Sequence, residues 1–223
     1  MNQLDAARKT MVESQVMPSG VTDKQILAAM ETVPRERFVP DAKRTLAYLG
    51  DDLCVKEASD GTPDRFLMDP RVLAKLAELA ALTPTDLVLD IGPATGYSTA
   101  LLAQLADTGV AIECDSELAD RASAILLDLG VDNAAVIEGP LAEGNTKQGP
   151  FDVIFLNGSV PFIPDGLLEQ LKDGGRLVAV VSEGNVGKAR IYTRSGPHSA
   201  YRNSFDAGIH TLPGFDVSKT FTF

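Results

Sequence analysis

The residues with the clearest potential for chemistry lie in residues 88–97, whose sequence is VLDIGPATGY. An apolar run passes through an acid into a turn, in which Gly92 and Gly96 allow the backbone to approach a ligand where a Cβ atom would clash. A helix that begins near Ser98 would direct unpaired N–H groups at the same ligand. The pattern predicts a nucleotide-binding turn, and the alternative is an ordinary strand–turn–helix unit without a ligand.

Two more polar side chains are predicted at the same edge of the sheet. Glu113 ends the next strand run, where an acid can accept both ribose hydroxyls of a nucleoside, and its separation from Gly92 suits one β-α-β unit. Asn157 follows the apolar run 151–156 at the tip of a small-residue turn, within reach of a cofactor or a substrate. A solvated carboxylate and a simple turn residue are the alternatives for these two positions.

Hydrophobic periodicity predicts the elements that must position these side chains. Apolar residues at helical spacing indicate helices over residues 4–17, 23–30, 69–82, 98–106, 116–129 and 165–171, with Asp23 as a cap. Short apolar runs indicate strands over residues 87–91, 110–113, 135–137, 151–156, 176–181, 188–193 and 203–209. Residues 34–40 (PRERFVP) are predicted to be a turn or an extended connector, because prolines stand at both ends. Residues 49–69 have no clear period and are predicted to be a long loop, which could close over a ligand.

Strands that alternate with helices of this length predict parallel β-α-β units. The last two strands have no room for a helix between them and should pair antiparallel. The predicted fold is therefore α/β, Rossmann-like, of the class I S-adenosylmethionine-dependent methyltransferase type. A dinucleotide fingerprint has G-x-G-x-x-G, whereas Ala94 replaces the middle glycine here, a form that resembles the S-adenosylmethionine motif. One domain is expected over residues 1–223, with a helical and loop extension at 1–68 and the core at 69–223.

Composition and charge limit the classes of protein. The 223 residues are 44% hydrophobic and 23% charged, as in globular proteins, and no run approaches the apolar length of a membrane helix. The formal charge of −11 disfavours binding to nucleic acids. Cys54 and Cys114 are predicted to be free thiols, and no metal-ligand spacing includes them, His198 or His210. Because the start lacks an apolar leader, a cytoplasmic protein is expected.

Several segments together resemble the protein-L-isoaspartate (D-aspartate) O-methyltransferase family, from about residue 11 to residue 215. The most family-specific segment is PRERFVP, whereas VLDIG-x-x-x-GY is shared with many methyltransferases. The remaining segments that fit are Ala47-Tyr48, Glu113, Leu129-Gly130 and the runs 149–152, 163–164 and 170–178. The resemblance implies methyl transfer from S-adenosyl-L-methionine to the α-carboxylate of an isoaspartyl residue in a damaged protein or peptide. Such a carboxylate is already ionised at neutral pH, so no strong base is required.

The resemblance also indicates which residues contact the cofactor and the substrate. The predicted cofactor contacts lie in the glycine turn and at the ends of neighbouring strand runs: Asp90, Gly92, Pro93, Ala94, Gly96, Tyr97, Glu113, Cys114, Gly139, Leu141 and Asn157. Family members carry Thr-Ile-Ser-x-Pro before the first core helix. Aligning its proline with Pro70 places Met68 at the hydroxyl position, beside Asp69. Met68 can donate no useful hydrogen bond, so its expected role is packing and orientation, and no catalytic residue is assigned.

Other differences from the family leave alternative functions open. The glycine-rich stretch before that motif is ASDGT at 58–62, and the family's Gly-Asp-Gly is replaced by residues 139–141 (GPL), without the acid. One alternative is a non-catalytic protein on the same fold that binds the cofactor or a partner. A second is a methyltransferase for another acceptor, in which Asp69 or Asp60 accepts a proton. A dinucleotide oxidoreductase is disfavoured by the missing glycine, and the sequence does not determine the oligomeric state.

Overall fold

A computed structural model describes residues 3–59, 63–184 and 186–215 of the chain. Its main sheet contains β3 (Leu87–Ile91), β4 (Thr108–Glu113), β5 (Ala134–Glu138), β6 (Phe151–Val160), β7 (Leu171–Glu183), β8 (Val186–Ser195) and β9 (His198–Asp206). The strand order is β5-β4-β3-β6-β7-β8-β9. The strands from β5 to β7 pair in parallel, and β8 and β9 pair antiparallel. This arrangement confirms the predicted fold class.

The parallel strands form where the sequence has short apolar runs, as a sheet buried on both faces requires. The predicted bounds of β3 are confirmed residue for residue. The prediction for the last strand was wrong, because β9 runs from His198 to Asp206 and not over 203–209. The reason is the tight turn at Gly196, whose φ of +56° brings Ser195 and His198 into register across the hairpin.

The helices are α1 (Gln3–Met11), α2 (Lys24–Thr32), α3 (Pro70–Ala80), α4 (Tyr97–Ala103), α5 (Ser116–Asp128) and α6 (Asp165–Leu168). After α1 the chain continues in a π-helical turn and a 3-10 turn as far as Ser19. Asp23 caps α2 as predicted, accepting hydrogen bonds from the backbone of Gln25 and Ile26. The connector 34–40 contains the 3-10 turn Arg35–Arg37. No helix in the described ranges is long and apolar enough to cross a membrane.

Alternate side chains of the central strands point to two separate apolar clusters. Val88, Val153 and Phe155 belong to the cluster formed with helices α1 to α5. Leu89 and Ile154 point to the opposite face, where the cluster is completed by α6 and the segment 211–215. One face is therefore covered by five helices, and the other by α6, the 3-10 turn Leu141–Glu143 and the segment 211–215.

The prediction of a continuous loop at 49–69 was wrong. Leu53–Lys56 forms β1 and Arg65–Leu67 forms β2, and the two strands pair antiparallel. Strands of four and three residues are too short for alternation to be distinguished from chance, which is why the pattern gave no signal. Cys54 lies in β1, and both cysteines are free. Asp60 lies outside the described residues.

Candidate cofactor site

The glycine turn follows β3 directly and is held in an unusual backbone conformation. Gly92 and Gly96 have φ angles of +73° and +92°, and Ala94 has a φ of +54°. The N–H of Gly92 donates to the carbonyl of Ile112 over 2.9 Å, which ties the turn to the end of β4. A left-handed alanine costs roughly 1–2 kcal/mol, so the turn depends on its surroundings to hold this shape.

Asp90 joins the strand that precedes the turn to the helix that follows it. Its buried carboxylate accepts hydrogen bonds from Ser98 Oγ at 2.8 Å and Thr99 Oγ1 at 2.7 Å, and from Asn157 Nδ2. Burial raises the pKa of Asp90 to about 7, although these three donors oppose the shift and the charge of Glu113 adds to it. Asn157 was predicted at the tip of a turn. It instead lies within β6, which stays extended and is irregular between Phe155 and Ser159.

Glu113 is completely buried at the end of β4, and its carboxylate has a full set of donors. The backbone N–H groups of Ala94 and Cys114 donate to it over 2.9 Å and 2.8 Å. Arg65 Nη2 donates to Glu113 Oε2 over 2.8 Å, and Arg65 Nη1 bonds the other oxygen. The same guanidinium reaches the carbonyl of Gly92 at 3.3 Å. Arg65 therefore bridges the glycine turn and the strand-end acid, a role that the sequence analysis did not predict.

The segment 209–212 passes over the turn from the other side. A Cβ atom on Gly92 would lie 2.6 Å from Leu212 Cδ2, and one on Gly158 would lie 2.7 Å from Leu212 Cγ. The backbone holds the leucine there, because the N–H of Leu212 donates to the carbonyl of Ser159 over 2.9 Å. The ring of His210 stacks on Phe66 with centroids 3.4 Å apart. Leu212 thus fills the space between the ends of β3 and β6.

The remaining predicted cofactor contacts are Gly139, Leu141, Pro93 and Tyr97. Gly139 and Leu141 lie beside the turn: the N–H of Gly139 donates to the carbonyl of Glu113 over 3.0 Å, and Leu141 Cδ1 lies 3.3 Å from the position of a Cβ on Gly92. Pro93 lines a small void next to the turn. The side chain of Tyr97 is fully buried and packs edge-on against Phe38.

Met68 and Asp69, which the sequence predicts at the substrate side of the site, are held by contacts within the protein. Met68 is buried, and its carbonyl accepts a hydrogen bond from Arg35 Nη2 over 2.8 Å. Arg35 is fully buried and belongs to the core. Asp69 caps α3 by accepting from the backbone of Arg71 over 2.7 Å, and it also pairs with the Arg71 guanidinium. Its carboxylate is committed to these structural contacts.

The space left at the turn decides whether a nucleoside cofactor fits this arrangement. Two voids adjoin Met68 and Asn157, with volumes of about 20 Å³ and about 10 Å³. Each has room for about one water molecule, whereas a cofactor pocket has roughly 300 Å³ or more. A larger groove of about 860 Å³ is lined by Ile112, Ile137, residues 138–140, 142–147, 149–150, 166 and 169–170, but by no residue of the 92–97 turn. The cradle has suitable residue types for the cofactor, but in this arrangement Arg65 and Leu212 fill its volume.

Fold and site together define a class of protein. The parallel sheet carries a glycine turn after β3, an acid at the end of β4 and an antiparallel carboxyl-terminal pair. These are the features of a class I, S-adenosylmethionine-dependent methyltransferase.

Comparison with known proteins identifies the family. The family model described as protein-L-isoaspartate(D-aspartate) O-methyltransferase matches residues 6–206, and the chain belongs to this family. A protein-L-isoaspartate O-methyltransferase of Koribacter versatilis is 39% identical over 178 residues, which cover 80% of this chain and 77% of that protein. A second relative, protein-L-isoaspartate O-methyltransferase 2 of Pelobacter propionicus, is 34% identical over 206 residues, covering 92% and 89%.

Solved structures support the same fold. One protein-L-isoaspartate O-methyltransferase superposes with a TM-score of 0.81 at 23% identity, covering 93% of this chain and 67% of that one. A Plasmodium falciparum protein of the same description, in complex with S-adenosyl-L-homocysteine, superposes with a TM-score of 0.76 at 20% identity, covering 93% and 98%. At these identities the likeness shows the shared fold.

Proposed function

We propose that the protein is an S-adenosylmethionine-dependent methyltransferase that methylates the α-carboxylate of isoaspartyl residues in damaged proteins or peptides. Membership of the family over residues 6–206 is the observation that carries this proposal. The negative formal charge of −11 favours a protein or peptide substrate over a nucleic acid.

The proposed methyl transfer requires no strong acid or base from the chain. S-adenosyl-L-methionine supplies an electrophilic methyl group, and the acceptor carboxylate is ionised at neutral pH. The residues of the chain would bind and orient the two reactants and exclude water. In this proposal Glu113 and the backbone of the turn would bind the cofactor, while Met68 would contribute an apolar contact. For this activity, Arg65 and Leu212 must first leave the cradle.

A second candidate function is that of a non-catalytic protein on the same fold. One observation favours it, which is that side chains of this chain fill the cradle. The predicted alignment of Met68 with the hydroxyl position of the family motif agrees with it. A methyltransferase that uses Asp69 as a base is less well supported, because that carboxylate caps α3 and pairs with Arg71.

Transfer of labelled methyl groups distinguishes these functions. The purified protein is incubated with tritium-labelled S-adenosylmethionine and a peptide containing one isoaspartyl residue, beside the same peptide with a normal aspartyl residue. We expect base-labile label on the isoaspartyl peptide alone. Gly92→Arg should abolish the transfer because it fills the turn, whereas Gly166→Arg, a glycine with no atom within 4 Å of an added Cβ, should leave it unchanged.

Each negative result has a defined meaning. Failure to label any peptide at saturating cofactor, by a protein that still binds S-adenosylhomocysteine, would favour the non-catalytic function. Label on both peptides alike would show a methyltransferase with a different acceptor.

A further inference from the structure

Arg65 makes the contacts that the ribose of a nucleoside cofactor would need. The acid at the end of the second parallel strand binds ribose hydroxyls in nucleotide-binding folds of this kind. In this chain both oxygens of Glu113 face the Arg65 guanidinium, which also reaches the carbonyl of Gly92. Because Glu113 is fully buried and Arg65 is only 5% exposed, the pair is shielded from water. A ribose cannot bind this acid while the pair is formed.

Leu212 blocks the same cleft, which is the space between Gly92, Glu113 and Gly158. Its side chain lies against the Cα positions of both glycines and is itself 5% exposed. The two blocking residues come from different segments, β2 and 209–212. The stacked pair of Phe66 and His210 connects these segments directly.

We infer that Arg65 and Leu212 form a lock that competes with the cofactor for the cleft. The lock depends on the proposed function, because it controls cofactor binding only if the cofactor enters this cleft. When the lock is closed, Arg65 balances the charge of Glu113, and Leu212 fills the space above Gly92. When it opens, both the acid and the turn become available, so cofactor affinity reflects the fraction of molecules with an open lock.

Opening of the lock breaks a defined set of hydrogen bonds in addition to the ion pair. The segment 209–212 is attached to β6 by two backbone hydrogen bonds of 2.9 Å, from Ser159 N to His210 O and from Leu212 N to Ser159 O. The Ser159 hydroxyl also donates to the Ile209 carbonyl over 3.1 Å and lies 3.3 Å from Thr211 Oγ1. β2 pairs with β1 alone, through a three-residue ladder that is irregular between Cys54 and Lys56. Apart from the bridge between Ser159 and Thr211, these bonds lie outside the ladders of the main sheet, so opening leaves the pairing of its strands intact.

Binding of S-adenosylhomocysteine, measured by calorimetry on the full chain, tests the lock. Arg65→Ala and Leu212→Ala each remove one half of it, and we expect each to tighten binding about tenfold or more. The matched control is Arg176→Ala. Arg176 pairs with the buried Asp86 at 2.7 Å, at the opposite end of β3, so its loss should destabilise the fold without tightening binding. Leu212→Ala keeps the inference testable if Arg65→Ala does not fold.

Hydrogen exchange gives a second readout on the wild-type protein. Ordinary binding protects amides, whereas opening of the lock exposes the amide of Leu212 by breaking its bond to Ser159. We expect S-adenosylhomocysteine to accelerate exchange at this amide. Protection there, or equal affinities of wild type, Arg65→Ala and Leu212→Ala, would overturn the lock and leave the proposed function standing. Binding by the variants alone would support the lock and refute catalysis by the wild type, and binding by none of them would refute both.

Discussion

Raising the pH should destabilise the folded protein through Asp90. This carboxyl is buried beneath the glycine turn, and burial raises its pKa to about 7 despite the hydrogen bonds from Thr99, Ser98 and Asn157. In the unfolded chain an aspartate has a pKa near 3.9. Between these two values the folded protein holds a proton that the unfolded chain has released. Its stability therefore falls as the pH rises through this window.

The size of this pH dependence follows from the difference between the pKa of Asp90 in the folded protein and in the unfolded chain. A difference of about 3 pKa units corresponds to roughly 4 kcal/mol over the whole window, at about 1.4 kcal/mol per unit. From about pH 5 to about pH 8 the accessible part is roughly 3 kcal/mol. This is a large share of the 5–15 kcal/mol by which folded domains are typically stable.

Denaturant unfolding of wild type and Asp90→Asn across this pH range isolates the contribution. The variant keeps an acceptor for the neighbouring donors but cannot titrate, so the other ionisable groups cancel in the difference between the two proteins. We expect the stability of wild type relative to Asp90→Asn to fall by roughly 3 kcal/mol from about pH 5 to about pH 8. Asp120→Asn, which removes an exposed carboxylate of α5, controls for the loss of one charge. A difference curve that is flat, or that rises with pH, would refute the reasoning.

Two further predictions concern local stability. Asp23→Ala should lower the free energy of unfolding by about 1 kcal/mol because two backbone N–H groups of α2 lose their acceptor; chemical denaturation measures this, and an equal loss in Asp120→Ala would contradict the capping role. Gly158→Ala should cost about 1–3 kcal/mol, since the new Cβ would lie 2.7 Å from a side chain and 3.0 Å from a backbone oxygen of the segment 209–212. Gly166→Ala has no atom within 4 Å and should be neutral or stabilising by thermal unfolding, so equal losses in both variants would exclude the steric explanation.

Elements with strong local signals could be predicted from the sequence. The continuous apolar run of β3 and the cap at Asp23 were located correctly because neighbouring residues determine both. The short strands β1 and β2 were missed for the opposite reason. They form because each provides the other with hydrogen-bond partners and because Leu53 and Leu67 are buried by the rest of the fold. A pattern of three or four residues is too short to indicate that these leucines are buried.

At the candidate cofactor site, too, some features could be predicted from the sequence and others could not. The sequence alone determined the class of fold and the glycine turn, and it indicated that Gly92 and Glu113 would meet at one edge of a parallel sheet. Only the tertiary structure decided what occupies that edge. The partner of Glu113 is Arg65, 48 positions earlier in the chain, and the side chain over Gly92 is Leu212, from the far end of the described residues. An isolated arginine or leucine has no spacing that indicates its partner, because such contacts form only when distant segments pack together.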